Sequence, residues 1–81
     1  MSSTKILLFT SASCGPCRMI KSNLTDEMIS ELGIEFVDSG KDFDDFVQYK
    51  VQSVPTIIKV VDGVETKRLI GFKTNEEIRS L

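Results

Sequence analysis

The chain has 81 residues, a formal net charge of −2 at pH 7 and 41% hydrophobic residues, values typical of one small globular domain. Its Lys and Arg residues are scattered among acidic residues, so it lacks the clustered basic face that nucleic-acid binding needs. The longest early apolar run, residues 6–9, is too short for a membrane-spanning helix or a secretory signal. We therefore expect one cytoplasmic domain over residues 1–81, with no membrane or nucleic-acid partner.

The first half of the chain alternates between strand and helix patterns. Residues 4–10 form an apolar run that ends at small polar residues, as in a strand buried on both faces. Residues 15–32 are mostly helix formers with an apolar residue at every fourth position, and Gly33 is a natural helix stop. The apolar stretch 34–38 follows at once. These patterns predict a strand, one helix and a second strand.

The second half predicts a short helix and a hairpin. Residues 42–50 begin with Asp residues, which favour a helix start, and place their apolar residues on one face. Residues 55–61 and 64–71 are rich in strand formers. They are joined by Asp62 and Gly63, a pair that strongly favours a tight β-hairpin. The hairpin would pair two antiparallel strands.

A terminal helix completes the predicted fold. Thr74 and Glu77 have the spacing of a capping box, and a helix starting there would bury Ile78 and Leu81. The element order β-α-β-α-β-β-α predicts an α/β fold with a four-stranded mixed sheet and helices on both faces. Core packing is predicted for the Phe residues, with only the last as a possible surface contact: Phe9, Phe36, Phe43, Phe46 and Phe72.

Both cysteines of the chain lie in Cys14-Gly15-Pro16-Cys17, where the first strand ends and the first helix begins. A helix start presents unpaired N–H groups and a partial positive charge, and both favour a thiolate. We therefore expect Cys14 to be exposed with a lowered pKa, and Cys17 to be more buried. Pro16 suits the first helical turn, and Gly15 leaves room for a large substrate.

This pair predicts thiol–disulfide exchange. Cys14 would attack a substrate disulfide as the nucleophile, and Cys17 would resolve the mixed disulfide, leaving a Cys14–Cys17 disulfide. Two other readings stay open. The pair could be half of a zinc site completed by dimerisation, because the chain has no His and only two Cys, or it could be two inert core thiols. We expect no metal and a monomer.

Three segments resemble the thioredoxin superfamily, and thioredoxin more than glutaredoxin. They are CGPCR at residues 14–18, YKVQSVPTIIKVVDG at 49–63 and GFKTNEEI at 71–78. The resemblance extends over nearly the whole chain. It implies a thioredoxin fold that starts at its core, without the extra N-terminal strand and helix of full-length thioredoxin. It also implies a cis peptide bond between Val54 and Pro55.

The resemblance implies an enzyme that reduces protein disulfides, and it supplies the expected substrate contacts. In the family, the backbone of the residue before the cis-proline pairs with substrate backbone, and that residue is Val54 here. The expected contacts are Gly15, Pro16, Ser53, Val54, Pro55, Gly71 and Phe72. Arg18 and Lys21 flank the cysteine pair; they are either an ordinary solvated helix face or a means of attracting an acidic substrate.

The chain departs from the family at three positions. Ser13 replaces the Trp that precedes the first cysteine, Leu8 falls where thioredoxin has a buried Asp, and Ile34 falls where its Lys partner would be. Thioredoxin uses that carboxylate to help deprotonate the second cysteine. Cys17 must instead lose its proton to water or to the departing Cys14 sulfur. We therefore expect slower resolution, and a Cys14 pKa without the raising influence of that carboxylate.

The resemblance implies no bound cofactor and leaves two electron donors open. They are NADPH through a flavin-dependent thioredoxin reductase, or glutathione. Glutaredoxins typically have a Gly-Gly pair and then Asp after the last strand, whereas this chain has Gly71 and Phe72, so we favour the reductase. Expected partners are client proteins with disulfides, such as ribonucleotide reductase. The alternatives are a glutathione-dependent glutaredoxin and a non-catalytic binding module of the same fold.

Overall fold

The computed structural model describes residues 3–81, which form four strands and four helices. The elements in chain order are β1 (Thr4–Thr10), α1 (Gly15–Asn23), α2 (Asp26–Leu32), β2 (Ile34–Asp38), α3 (Phe43–Gln48), β3 (Thr56–Val61), β4 (Val64–Ile70) and α4 (Asn75–Arg79). None of the helices in this part of the chain is long and apolar enough to cross a bilayer.

The strands form one mixed sheet in the order β2-β1-β3-β4. β1 pairs with β2 in parallel and with β3 antiparallel, and β3 pairs antiparallel with β4. The central strand β1 is buried from Ile6 to Thr10, because neighbours cover both its edges and helices cover both its faces. The predicted four-stranded mixed sheet is confirmed.

Each face of the sheet has its own core. One core lies on the side of the sheet that helices α1, α2 and α4 cover, which we call the α1 face. Its buried residues are Ile6, Leu8, Ile20, Leu24, Met28, Ile34, Ile57 and Ile78. The cluster on the opposite, α3 face consists of Leu7, Phe9, Val37, Phe46, Ile58 and Val60. Alternate residues of β1 and β3 serve opposite clusters, as strand geometry requires. The predicted placement of helices on both faces is confirmed.

The predicted helix over residues 15–32 is two helices, because the chain breaks at Leu24 and Thr25. Leu24 has an extended backbone with φ −74° and ψ 137°. The Thr25 side chain accepts the N–H of Met28 at 3.1 Å and so caps α2. The predicted stop at Gly33 is correct: it adopts φ +62°, and a Cβ there would lie 3.1 Å from the carbonyl oxygen of Thr4.

Helix α3 is shorter than the predicted range 42–50. Asp42 occupies the N-cap position, but its carboxylate accepts the N–H of Asp38 at 3.1 Å and makes no cap bond to the helix. At the other end, Lys50 has left the helix with φ +54°. The helix therefore runs only from Phe43 to Gln48.

Two of the five Phe residues predicted as core lie at the surface. Phe36 is 41% exposed because it lies on the edge strand β2. The Lys21 ammonium lies over its ring, 5.2 Å from the centroid. Phe43 is 64% exposed because the first turn of α3 directs it away from the sheet. Phe72 is also partly exposed, as expected, whereas Phe9 and Phe46 are buried.

The hairpin and the last helix form as the sequence predicts. Asp62 and Gly63 both adopt positive φ, which matches the turn type that Asp-Gly favours. The Thr74–Glu77 capping box is complete, with each side chain bonded to the other residue's backbone N–H. Ile78 is buried in the α1-face cluster, and Leu81 is half-buried against it.

Candidate redox site

Cys14 and Cys17 form a disulfide at the amino end of α1, with their Cα atoms 5.2 Å apart. Cys14 is the N-cap residue, and Pro16 lies in the first turn, where its missing N–H leaves no bond unmade. Cys17 is 1% exposed, as expected, whereas Cys14 is half-buried and less accessible than predicted. The two sulfurs therefore differ sharply in their access to a partner.

The Cys14 sulfur lies at the amino end of α1, where the helix carries partial positive charge. The N–H of Cys17 donates to Cys14 Sγ at 3.2 Å, which is the N-cap bond of this helix. The first turn of α1 contains no acidic residue that could offset this charge. Negative charge on Cys14 Sγ is therefore favoured by both the hydrogen bond and the helix dipole.

The proline loop, residues 53–56, forms the second half of the site. The Val54–Pro55 bond is cis, as expected. The Thr56 hydroxyl donates to the Ser53 carbonyl oxygen at 2.7 Å and so spans the loop. Gly71 donates its N–H to the Pro55 carbonyl oxygen at 2.9 Å, which fixes the end of β4 beside the loop.

Strand pairing brings both halves to one end of the sheet. Thr56, the first residue of β3, lies opposite Phe9 near the end of β1, and the loop to Cys14 begins directly after β1. Thr56 also lies opposite Ile70, so Phe72 emerges at the same end. The contacts expected from the sequence are thus gathered around one end of the sheet.

This arrangement has close parallels among known proteins. The family model described as Thioredoxin matches residues 1–81. This chain belongs to the thioredoxin family. Thioredoxin of Bacillus subtilis is 34% identical over 71 residues, covering 84% of this chain and 68% of that protein. Thioredoxin of Chlamydia pneumoniae is 35% identical over 71 residues, covering 84% and 69%. The X-ray structure of Fasciola hepatica thioredoxin has a TM-score of 0.81 and 26% identity, covering 95% of this chain and 76% of that one.

The family and the disulfide together establish the activity. A redox-active Cys-Gly-Pro-Cys pair in a thioredoxin fold makes the chain a thiol–disulfide oxidoreductase of protein disulfides. Thioredoxins work without a bound cofactor, on disulfide-containing substrates and with a reductase. Within residues 3–81, no group of three or more His, Cys, Asp or Glu residues could hold a metal ion.

Hydrocarbon side chains occupy the two positions where the resemblance to thioredoxin places a buried charge pair. Leu8 is 1% exposed, and Ile34 is buried in the same α1-face cluster. Among the described residues, the buried polar or charged ones are Thr10 and Thr56, so no other carboxylate is buried in the core to take the place of that pair. Cys17 therefore has no carboxylate at the Leu8 position to receive its proton.

A polar clamp that the sequence did not reveal holds the chain leading into the proline loop. Arg68 on β4 donates from Nη2 to the Tyr49 carbonyl oxygen at 2.6 Å and forms two hydrogen bonds of 2.8 Å to the Glu65 carboxylate. Hydrogen bonding to Arg68 lowers the pKa of Glu65, and the same pairing raises the pKa of Arg68. Tyr49 is thereby tied to the sheet just before the loop.

Proposed function

We propose that Cys14 is the nucleophile and Cys17 the resolving thiol in the reduction of client protein disulfides. The observation that carries this assignment is the inequality of the two sulfurs. Cys14 is half-buried at the amino end of α1, and its Sγ accepts the Cys17 N–H at 3.2 Å. Cys17 is almost fully buried, so a client sulfur cannot reach it directly. Cys17 would react only with Cys14 Sγ, after Cys14 has formed a mixed disulfide with the client.

The proposed reaction is two successive thiol–disulfide exchanges. The Cys14 thiolate attacks one client sulfur, so a mixed disulfide forms and the other client sulfur leaves as a thiolate, which takes up a proton. The Cys17 thiol then loses its proton and attacks Cys14 Sγ, so the second client thiolate leaves and is protonated. In total, two electrons and two protons pass from the enzyme dithiol to the client, and a Cys14–Cys17 disulfide remains.

The proline loop is proposed to bind the client backbone beside the reacting sulfur. Val54 takes part in none of the backbone hydrogen bonds that residues 3–81 make outside helices and strands. Its N–H and C=O can therefore pair with an extended client segment, as in β-strand addition. The flanking surface would be Ser53 on the loop and Gly71 and Phe72 after β4, while the buried cis-Pro55 would contact a client only through its outer edge.

Gly15 and Pro16 are proposed to form the client contact on the cysteine side. Gly15 has no heavy atom of another element within 4 Å of a Cβ placed on it, so a client can approach Cys14 closely there. Pro16 is exposed next to it. The client disulfide would lie between this turn and the proline loop.

We propose NADPH, through a flavin-dependent thioredoxin reductase, as the source of electrons, and ribonucleotide reductase as one client. The Gly71-Phe72 pair supports this choice over glutathione, since glutaredoxins place Gly-Gly and Asp there. The protein would work as a monomer in the reducing cytoplasm, where the disulfide is transient.

Reduction of insulin by dithiothreitol tests the roles of the two cysteines. Wild type should accelerate precipitation of the insulin B chain, and Cys14→Ser should lower the rate to that of dithiothreitol alone. Cys17→Ser should also lose turnover, and it should accumulate a client adduct at Cys14 that mass spectrometry detects without reductant. Full activity of Cys14→Ser, or an adduct on Cys17 in the Cys14→Ser protein, would refute the assignment.

The electron donor is tested separately by following NADPH oxidation with insulin as substrate. Thioredoxin reductase plus the wild-type protein should consume NADPH at a rate proportional to the concentration of the protein. Glutathione with glutathione reductase should support little consumption. The opposite pattern would identify a glutaredoxin and would leave the cysteine roles intact.

A further inference from the structure

Helix α1 carries only positive charge in a chain that is acidic overall. Between residues 11 and 25 the only charged side chains are Arg18 and Lys21, and both are exposed. The first turns of α2, α3 and α4 each contain two acidic residues, whereas that of α1 contains none. The positive charge is thus concentrated on the helix that begins at the redox disulfide.

Arg18 lies one helical turn after Cys14, on the same side of α1. Its backbone N–H donates to the Cys14 carbonyl oxygen at 3.2 Å, so the spacing between the two residues is that of a regular helix. Residues four apart share a helix face, and long helical side chains lean toward the amino end. Arg18 therefore projects from the same helix face as Cys14, and a side chain of this length can reach the surface next to that residue.

Neither cation of α1 is neutralised within the described chain. The ion pairs among residues 3–81 join Lys5 to Glu35, Arg68 to Glu65 and Arg79 to Glu31. Lys21 is held over a ring, with its ammonium 5.2 Å from the centroid of Phe36, and Arg18 has no such contact.

A shallow groove joins Arg18 to the reactive turn. Its lining, which we call the α1 groove, consists of Gly15, Pro16, Arg18, Met19 and Ser22. Most of that lining is apolar, and Met19 is 57% exposed. A polypeptide bound at Cys14 can therefore continue along α1 and meet a cation that has no carboxylate of its own.

We propose that the α1 groove selects client segments that carry a carboxylate beside the disulfide, and that Arg18 is the residue that binds it. This inference rests on the function proposed above and adds the client class. Asp or Glu next to the client cysteine would pair with the guanidinium, whereas Lys or Arg there would be repelled by Arg18 and Lys21. Charged groups at the rim of an interface act mainly on the encounter rate and on specificity.

Two quenched fluorescent peptide disulfides of equal length test the proposal, one with Glu and one with Lys beside each cysteine. The measured quantity is the ratio of their kcat/KM values, with dithiothreitol as electron donor. Arg18 could also change the reactivity of the Cys14 thiolate, but such a change alters the rates with both peptides by the same factor and cancels in this ratio. Wild type should favour the Glu peptide by about fivefold at low salt, the size expected of one exposed ion pair.

Arg18→Glu should invert this preference, because the groove then repels the Glu peptide. Lys67→Glu is the matched control. It makes the same change in net charge on β4, at an exposed residue outside the redox site, and should keep the wild-type ratio within about twofold. At 1 M salt the preference of wild type should nearly disappear, because the screening length shrinks to about 3 Å.

An Arg18→Glu ratio equal to that of wild type would overturn the proposal. So would a shift of equal size in Lys67→Glu, which would show that net charge alone sets the preference. A third peptide with Ser beside each cysteine separates these results from failure of the proposed function. If wild type does not cleave the Ser peptide, the reductase role fails; if it cleaves all three equally, only the charge selection fails.

Discussion

The two cores of the molecule differ in chemistry and in the half of the redox site that each supports. On the α1 face the buried residues are aliphatic apart from Met28, and the cluster includes Ile20 of the helix that bears both cysteines. On the α3 face, Phe9 packs edge-to-face against Phe46 with ring centroids 5.0 Å apart, and against Tyr49 at 5.8 Å.

This difference shows how the site is assembled. The aliphatic core fixes the cysteine helix and excludes ionisable groups from beneath it. The α3 core holds the other half, because Tyr49, Val51 and Val54 on the way into the proline loop pack against it. The Arg68 bond to the Tyr49 carbonyl oxygen reinforces that segment. The cysteine helix and the proline loop can therefore be disturbed separately.

The largest expected effect comes from removing an aromatic ring on the α3 face. Phe46→Ala should lower the free energy of unfolding by about 3–5 kcal/mol, a cost typical of a buried Phe. Phe43→Ala, on the same helix but exposed, should change it by no more than about 0.5 kcal/mol. Urea unfolding followed by circular dichroism measures both, and a Phe46→Ala loss as small as the one expected for Phe43→Ala would show that the aromatic core does not stabilise the fold.

A smaller effect, on KM for insulin, should distinguish the proline loop from the cysteine helix as two separate halves of the redox site. Thr56→Val removes the hydroxyl that donates to the Ser53 carbonyl oxygen at 2.7 Å. The loss of about 1 kcal/mol of loop stabilisation should raise KM for insulin about fivefold. The rate of the reduced protein with the small aromatic disulfide of Ellman's reagent should not change, because that reaction needs only Cys14.

Thr66→Val is the control for this loop experiment. Its hydroxyl donates to the Lys59 carbonyl oxygen at 3.3 Å, on exposed strand β4 and outside the proline loop. It should leave both KM and the Ellman rate as in wild type. If Thr56→Val slowed both reactions in parallel, the two halves would not be independent.

The smallest expected effect is a pH dependence of the clamp on the α3 face. Pairing with Arg68 lowers the pKa of Glu65 below its ordinary value of 4.5, so the stabilisation is fully present above that pH. It is lost as the pH falls through the lowered pKa. Glu65→Gln should therefore be less stable than wild type at pH 7 by no more than about 1 kcal/mol, and equally stable in strong acid.

Urea unfolding at both pH values measures this difference. Glu31→Gln, which breaks the more exposed ion pair to Arg79 at 3.5 Å between α2 and α4, should show a smaller difference at pH 7. A Glu65→Gln variant whose deficit persists in strong acid would show that the lost stability does not come from the charge pair.

Local sequence patterns predicted most of the fold and the centre of the site. The apolar run of β1, the Asp62-Gly63 turn and the Thr74 capping box each specify a local structure strongly, and each is confirmed. The position of the Cys pair at a strand-to-helix junction was equally predictable. For the turn, the capping box and the cysteine pair, the deciding interactions join residues close in sequence, and for β1 the apolar run alone signals burial on both faces.

The features that sequence reasoning missed depend on how distant strands pack together, or have only a weak signal in the local sequence. The apolar repeat across α1 and α2 hid the break at Thr25, although Thr followed by two acidic residues is a helix-start signal. Phe36 is exposed because β2 is an edge strand, and the spacing of apolar residues along the chain does not specify the order of strands in a sheet. Glu65 and Arg68, three residues apart on a strand, should face opposite ways, but a register irregularity in the β3–β4 ladder places both on the α3 face.

The hydrogen bond from the Cys17 N–H to Cys14 Sγ has an evolutionary consequence. The donor belongs to the main chain, so it persists whatever side chains surround it. Only proline at position 17 would delete the donor, and that replacement would remove the second sulfur as well. The surface around the disulfide can therefore diversify toward new clients while this one hydrogen bond to the sulfur is inherited unchanged.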